Sequence, residues 1–325
     1  MALTVGVDVG GTKIAGGVVT DSGFIVERTR RPTPAQDPVA LRRGIADVVN
    51  DLRTRHEVSA VGISAAGFVK ADRRSMWFAP NVAWGDGPLA DLLEKQVGCP
   101  VVVENDANAA AWAEHRFGAG VGIPDQLMVT LGTGVGGGVI VDGSIYRGAH
   151  GVAAEIGHIG LVRDGIRCAC GRSGCLEQYA SGRALERDAQ IAAESGRAPS
   201  LLAAAGGDPQ AVTGTMVTQL AQEGEQDAVE LMTQLAHYLA TGISSLVAVL
   251  DPALVLIGGG LSDAGDVLLE PTRAALADDL TGGDDRPGPD LRIAALGNDA
   301  GLIGVADLAR DARSGARTDA RSDEQ

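Results

Sequence analysis

Apolar positions along this chain fall into short runs broken by glycine-rich turns and longer stretches with a three-to-four-residue period, the pattern of strands alternating with helices. Leu3 to Val9 reads as a strand, Gly10-Gly11-Thr12-Lys13 as a turn, and Ile14 to Thr20 as a second strand closed by Asp21-Ser22-Gly23. Shifted by 121 residues the pattern returns: strand Leu127 to Leu131, turn Gly132-Thr133-Gly134-Val135-Gly136, strand Gly137 to Val141, then Asp142-Gly143. In that gapless register Gly11/Gly132, Thr12/Thr133, Gly16/Gly137, Gly17/Gly138, Val18/Val139 and Asp21/Asp142 are identical. Two such hairpins predict a duplicated lobe whose turns offer backbone N–H groups to the phosphates of a nucleotide held between the copies, glycine allowing close approach and positive φ. Ordinary hairpins with shared turn chemistry are the plainer alternative.

The remaining pattern is alternating α/β. Pro38 to Thr54 predicts a helix, Ala60 to Ser64 a strand ending in Ala65-Ala66-Gly67, Pro100 to Val103 a strand ending in Glu104-Asn105-Asp106, and Ala107 to Phe117 a helix. Leu231, Leu235, Leu239, Ile243, Leu246 and Leu250 form one face of a long helix, followed by strand Leu254 to Ile257, turn Gly258-Gly259-Gly260, and a closing helix from Ala300 to Arg310. Gly132, Gly134 and Gly137 satisfy G-x-G-x-x-G, but a strand follows where a dinucleotide fold needs a helix. The sequence holds no Gly-Lys pair, which excludes a P-loop.

At 325 residues, with 45% hydrophobic and 21% charged, the chain suits two globular lobes. A net charge of -15 argues against a nucleic-acid partner, which calls for clustered Lys and Arg. Only Lys13, Lys70 and Lys95 occur against 24 arginines, which singles out Lys13 in its glycine-rich turn. The start Met1-Ala2-Leu3-Thr4-Val5 lacks a basic n-region, and no apolar run reaches the ~18 residues of a membrane span, so a cytoplasmic protein with no membrane partner is expected. Asp311 to Gln325 reads as a solvated tail.

Phosphoryl transfer to an alcohol needs an acceptor for the hydroxyl proton, donors that position phosphates, and a divalent ion. Asp106, at the carboxyl end of a buried-type strand, is placed for the first task, although the same position suits a helix N-cap. Asn105 could hold a sugar hydroxyl or close the turn. Glu155 and His158, spaced i,i+3, share a helix face, Glu177 follows the cysteine cluster, and Asn81 stands in Pro80-Asn81-Val82-Ala83-Trp84. His158, Cys168, Cys170 and Cys175 provide three thiolates and an imidazole, a closed tetrahedral set for a structural zinc, with a redox pair or plain buried thiols as the other readings. Cys99 stands alone and reads as a small buried residue.

Asp8-Val9-Gly10-Gly11-Thr12-Lys13, Glu104-Asn105-Asp106-Ala107-Asn108-Ala109-Ala110, Gly132-Thr133-Gly134-Val135-Gly136, Glu155-Ile156-Gly157-His158 and the run Cys168-Ala169-Cys170-Gly171-Arg172-Ser173-Gly174-Cys175-Leu176-Glu177 resemble the ROK family of repressors and sugar kinases, most closely its actinobacterial glucokinases. That resemblance implies a two-lobed α/β fold of the actin-like ATPase kind, hexokinase-type and ribonuclease H-like, with a duplicated core. It implies a small lobe over 1–112 plus 301–315, a large lobe over 113–300 carrying the zinc loop, and a disordered tail over 316–325. It implies ATP-dependent phosphorylation of the glucose 6-hydroxyl with Asp106 as general base. Asn105, Asp106, Glu155, His158 and Glu177 then surround the sugar, with Asn81 a further candidate. Asp8 lies near Mg2+, Gly10, Gly11, Thr12, Lys13, Gly132, Thr133 and Gly134 near phosphate, and Gly258, Gly259 and Gly260 near adenosine. A homodimer or homotetramer is the family's expectation. Phe68-Val69 departs from the family's usual proline, so no sugar contact is assigned there. Other acceptors (mannose, fructose, allose, N-acetylmannosamine), polyphosphate as donor, and a sugar-responsive transcription regulator are the alternatives, the last disfavoured because the phosphate strand begins at once.

Overall fold

Two five-stranded sheets organise the chain, and the second repeats the connectivity of the first. The computed structural model describes residues 3–79 and 82–319. In chain order these form β1 (Leu3–Val9), β2 (Lys13–Val19), β3 (Ile25–Pro32), α1 (Pro38–Arg53), β4 (Val58–Ala65), β5 (Phe68–Val69), β6 (Met76–Phe78), α2 (Leu89–Val97), β7 (Val101–Asn105) and α3 (Asp106–Phe117). There follow β8 (Gln126–Leu131), β9 (Val135–Val141), β10 (Ser144–Ile145), α4 (Gly182–Glu194), α5 (Pro199–Ala204), α6 (Gly214–Glu223), α7 (Gln226–Leu250), β11 (Leu254–Gly258), α8 (Asp266–Asp279), β12 (Asp290–Ile293) and α9 (Ala300–Asp319).

The sheets run β3-β2-β1-β4-β7 and β10-β9-β8-β11-β12. In the first, β2 pairs antiparallel with β1 and β3, while β4 runs parallel to β1 and β7. In the second, β9 and β10 are antiparallel and β11 is parallel to β8 and β12. Position by position β8 and β9 stand where β1 and β2 stand, which is the relation that the 121-residue shift predicts.

By contacts the chain divides into two compact units, Met1–Gly122 with Gly138–Ala154 and Asn298–Gln325, and Ile123–Gly137 with Glu155–Gly297. A boundary at 112/113, as expected from the sequence, would cut through α3. In the first unit successive residues Thr4 to Val7 of β1 and Ala60 to Ala65 of β4 are all buried, as strands covered on both faces require. Asp37 caps α1, its Oδ1 accepting Val39 and Ala40 N–H at 2.9 and 3.0 Å, and Pro38 opens the helix. Leu41, Ile45, Val48, Val49 and Leu52 of α1 pack into the core. On the sheet lies α9: a Cβ on Gly6 would stand 2.0 Å from the Leu302 carbonyl oxygen, and one on Gly62 1.9 Å from that of Val305. These two glycines let the helix backbone rest on the strands.

The tail expected from Asp311 is helical as far as Asp319, because Ala312, Arg313, Ala316 and Arg317 are good helix formers that continue α9. Residues 320–325 lie outside the described residues. In the second unit the buried stripe of α7 runs through Met232, Leu235, Ala236, Leu239, Ile243 and Val247, and Leu231, Leu246 and Leu250 are only half-buried. By length and composition α7, with a mean hydropathy of 1.2, is the one described helix long and apolar enough to cross a membrane. Its packing against α6 and α8 makes it a core helix of this unit.

Candidate functional site

In the first unit the chemistry gathers where β7 gives way to α3. Asn105, not Asp106, is the N-cap of α3, its Oδ1 accepting Asn108 N–H at 3.0 Å, so the capping role considered for Asp106 belongs to its neighbour. The Asn105 Nδ2 donates to the Gly67 carbonyl and to Asp106 Oδ1, both at 3.1 Å. Asp106 Oδ1 also accepts the Ala107 N–H at 2.9 Å. The Asp106 side chain is reachable by water, yet enough protein surrounds it that desolvation, reinforced by the charge of Asp8, pushes its carboxyl up to about 6 against the pull of these hydrogen bonds. Such a group is ionised at neutral pH and basic enough to accept a proton.

Asp8, half-buried, sits between the buried Val7 and Val9 near the end of β1. Ser64 Oγ donates to its Oδ1 at 2.8 Å, and burial raises its pKa against the opposing effects of Ser64 and Lys13. Behind Asp106 lies Glu104, 2% exposed, whose Oε2 accepts Arg147 Nε and Nη2 at 2.8 and 2.7 Å and approaches Arg73 Nε at 3.3 Å. Its Oε1 accepts Asn105 N–H and Asn108 Nδ2 at 3.2 and 3.3 Å. Sequence reasoning passed over Ser64, Glu104 and Arg147, though a Glu inside a buried strand signals a paired carboxylate.

The first glycine turn closes through Gly10 N–H to the Lys13 carbonyl at 3.0 Å, and Thr33 braces it by donating Oγ1 to Gly10 O at 2.8 Å. Gly11, Thr12 and Lys13 are exposed. In the second unit the corresponding turn closes through Gly132 N–H to Gly134 O at 3.0 Å, with the acceptor at the position equivalent to Lys13 and the donor one position later than Gly10 in the repeat. Gly10, Gly11, Gly132 and Gly134 all have φ outside the left-handed region, and of the four only Gly134 has a neighbour that a Cβ would crowd, Glu177 Oε2 at 2.8 Å.

Gly132 and Thr133 line a cavity of about 630 Å³ in the second unit, a volume that suits a small ligand. Of the Gly258–Gly260 turn only Gly260 reaches it. Gly258 is a packing residue, since its Cβ would meet Met128 Cε at 2.5 Å, and Gly259, at φ +82°, makes the turn. Residues the sequence reading left aside complete the wall: Gly182, Arg183 and Glu186 of α4, Gly214, Thr215 and Thr218 of α6, and Leu261 and Asp263. Two helix N-termini therefore face the cavity, α4 capped by Ser181 and α6 by Thr213, and both favour anionic groups. Ser-Gly and Thr-Gly ahead of amphipathic runs were the available signal.

The four expected metal ligands converge. Facing atoms of His158, Cys168, Cys170 and Cys175 lie within 4.8 Å of one another, with His158 Nδ1 3.7 Å from Cys168 Sγ and Cys170 Sγ 3.6 Å from Cys175 Sγ. Edges of a tetrahedron built on ordinary Zn–S and Zn–N bonds measure roughly 3.5–3.8 Å, so the donor set fits zinc. Burial and a 2.9 Å hydrogen bond to Glu177 push the Cys168 thiol up to about 12, a penalty on its thiolate that a bound cation would have to overcome. Glu155 and His158 flank a single 3₁₀ turn (Ile156–His158), not an α-helix, and in that geometry i and i+3 eclipse. Glu177 sits in the turn Leu176–Gln178, its Oε1 3.8 Å from His158 Nδ1 and its Oε2 2.8 Å from the point a Cβ on Gly134 would occupy. Asn81 lies outside the described residues.

The family profile that matches is that of the ROK family, over residues 4–312. A glucokinase of Streptomyces coelicolor is 49% identical over 96% of this chain and 98% of its own length. An N-acetylmannosamine kinase of Shigella boydii is 34% identical over 94% of this chain and 98% of its own. The crystal structure of a ROK family glucokinase from Streptomyces griseus, in complex with glucose and AMPPNP, matches with a TM-score of 0.86 at 46% identity, covering 95% of this chain and all of that one.

Proposed function

This chain belongs to the ROK family, with its duplicated α/β fold of the actin-like ATPase kind, and on that premise we propose that it is a glucokinase that moves the terminal phosphate of ATP onto the 6-hydroxyl of glucose. The observation that carries this reading is the end-to-end likeness to glucokinases, one of them solved with glucose and AMPPNP.

In this proposal the Asp106 carboxylate accepts the 6-hydroxyl proton as the sugar oxygen forms its bond to the γ-phosphorus and the bond to the ADP oxygen breaks. Its raised pKa and its place at the end of a strand support that role. Asn105, Asn81, Glu155, His158 and Glu177 are proposed to hold the sugar. Because Nδ1 of His158 faces the thiols, Nε2 is the nitrogen left for a hydroxyl. The cavity beside Gly132, Thr133 and Gly260 is proposed to take the nucleotide, with Gly134, Gly258 and Gly259 shaping its turns, and Gly10, Gly11, Thr12 and Lys13 to meet phosphate. A Mg2+ ion, when bound, would neutralise phosphate charge, and Asp8, with one oxygen engaged by Ser64, would supply one of the one or two carboxylates such an ion takes. Zinc is proposed to be structural, since protein fills all four positions. The use of ATP supports a cytoplasmic location, and a homodimer or homotetramer completes the proposal.

A coupled assay of glucose, mannose, fructose, allose and N-acetylmannosamine against ATP, GTP and polyphosphate tests it. Turnover highest with glucose and ATP is expected; a clear preference for N-acetylmannosamine or for polyphosphate would replace the assignment.

A further inference from the structure

The metal loop owes its shape to more than its ligands. Cys168 and Cys170 ride on a finger of chain between Val162 and Gly174, closed by Leu161 and Val162 N–H to the Gly174 carbonyl at 2.8 and 3.1 Å and by Gly174 N–H to the Ile166 carbonyl at 2.8 Å. Much of it is exposed: Arg163 and Asp164 are 97% and 94% open to solvent, and Arg167 and Cys170 are exposed too. With so little apolar burial the finger is ordered mainly by its own backbone hydrogen bonds, among them Cys168 N–H to the Arg172 carbonyl at 2.8 Å, and these leave it to be anchored to the body of the unit.

Tyr179 anchors it from below. It is buried at the end of the Leu176–Gln178 turn, with its ring against Tyr238 of α7 at a centroid distance of 5.0 Å. Its hydroxyl oxygen accepts the Ile166 N–H at 2.8 Å, two residues before Cys168. It also fills the space beside Gly165, where a Cβ would stand only 2.1 Å from it. A rigid aromatic stem thus delivers one polar atom to the finger's backbone, at a position where only glycine makes room.

We propose that Tyr179 is a positioning residue for the metal centre, its hydroxyl holding the 165–168 segment in ligand-ready form before the ion arrives. Part of the ordering cost of the loop is then met by folding of the protein body, so the binding energy of the ion is spent less on arranging the chain. This inference rests on reading His158, Cys168, Cys170 and Cys175 as a metal site; it does not depend on which sugar is phosphorylated.

The test is zinc affinity and release, measured in reduced, metal-stripped protein by competition with a chromophoric chelator, for wild type, Tyr179→Phe and Gly165→Ala. Loss of one net hydrogen bond should weaken zinc binding about 3- to 10-fold in Tyr179→Phe and speed transfer to the chelator. Gly165→Ala, which displaces the hydroxyl while keeping it, should move affinity the same way. Metal-free Tyr179→Phe should melt only slightly below metal-free wild type, with faster hydrogen exchange confined to the segment around the Ile166 amide, a combination that general loss of stability would not give. Equal zinc affinity and release in wild type and Tyr179→Phe would overturn the inference. Failure of wild type itself to bind zinc would overturn the metal reading beneath it.

Discussion

Replacing Gly134 by alanine separates two jobs that the sequence runs together. From the sequence, bulk on this turn should harm nucleotide binding and spare the sugar. In the structure the added Cβ stands 2.8 Å from Glu177 Oε2, where ordinary contact begins at 3.4 Å, and Gly134 is not part of the cavity wall that Gly132 and Thr133 form. What must give way is the carboxylate end of a flexible side chain, by about 0.6 Å, so the fold should lose only about 1 kcal/mol, the low end of overpacking. The displaced group, however, is a proposed sugar ligand that also touches Cys168 at 2.9 Å. A hydrogen bond to a charged group is worth about 1.5–3 kcal/mol, and weakening one by roughly half costs about 1.4 kcal/mol, or tenfold. Glucose KM at saturating ATP should therefore rise about tenfold, and ATP KM at saturating glucose should rise less, as read by a coupled assay beside a melting curve. An ATP KM raised tenfold with glucose KM within twofold of wild type would refute the reasoning and return Gly134 to the nucleotide alone.

The pH profile of kcat/KM should bend at about 6, the value to which Asp106 is raised, falling tenfold per unit below it; a profile flat from pH 7 down to 5 would remove Asp106 as base. Because the folded chain holds that proton more tightly than the unfolded chain at 3.8, the stabilising contribution is present below 3.8 and lost as pH rises through about 6. Asp106→Asn should accordingly melt above wild type at pH 7.5, with the gap closing toward pH 4. Elemental analysis should find one zinc per chain. Cys170→Ser should reduce zinc content, lower the melting temperature, and weaken glucose binding more than nucleotide binding by titration calorimetry, and a zinc-free wild type purified without chelator would contradict the site.

The strands and the repeat were legible because a buried strand has little choice of composition: Val5, Val7 and Val9 announce β1, and the 121-residue shift brings β8 and β9 to equivalent places in the second sheet. The metal set was legible because three thiols and an imidazole at short spacing have few other uses. What the sequence hides depends on contacts far along the chain. Nothing beside Ser64 says that its hydroxyl meets Asp8, nothing beside Arg147 says that it pairs with Glu104, and Tyr179 resembles any core aromatic until its hydroxyl is seen at Ile166. The cavity wall from α4 and α6 was missed for the same reason, since Gly182 and Thr215 acquire meaning only when two distant helix starts meet. The glycine turns misled in one respect: the φ of Gly10, Gly11, Gly132 and Gly134 lies outside the left-handed region, and only Gly134 has a neighbour that a Cβ would crowd.

The decisive measurement is glucose 6-phosphate formation from glucose and ATP by wild type and Asp106→Asn, with glucose affinity measured alongside by calorimetry. Loss of a positioned base should lower kcat by about 10²- to 10⁴-fold while glucose binding changes little. Wild-type protein that forms no glucose 6-phosphate, or an Asp106→Asn variant within tenfold of it, would contradict the account.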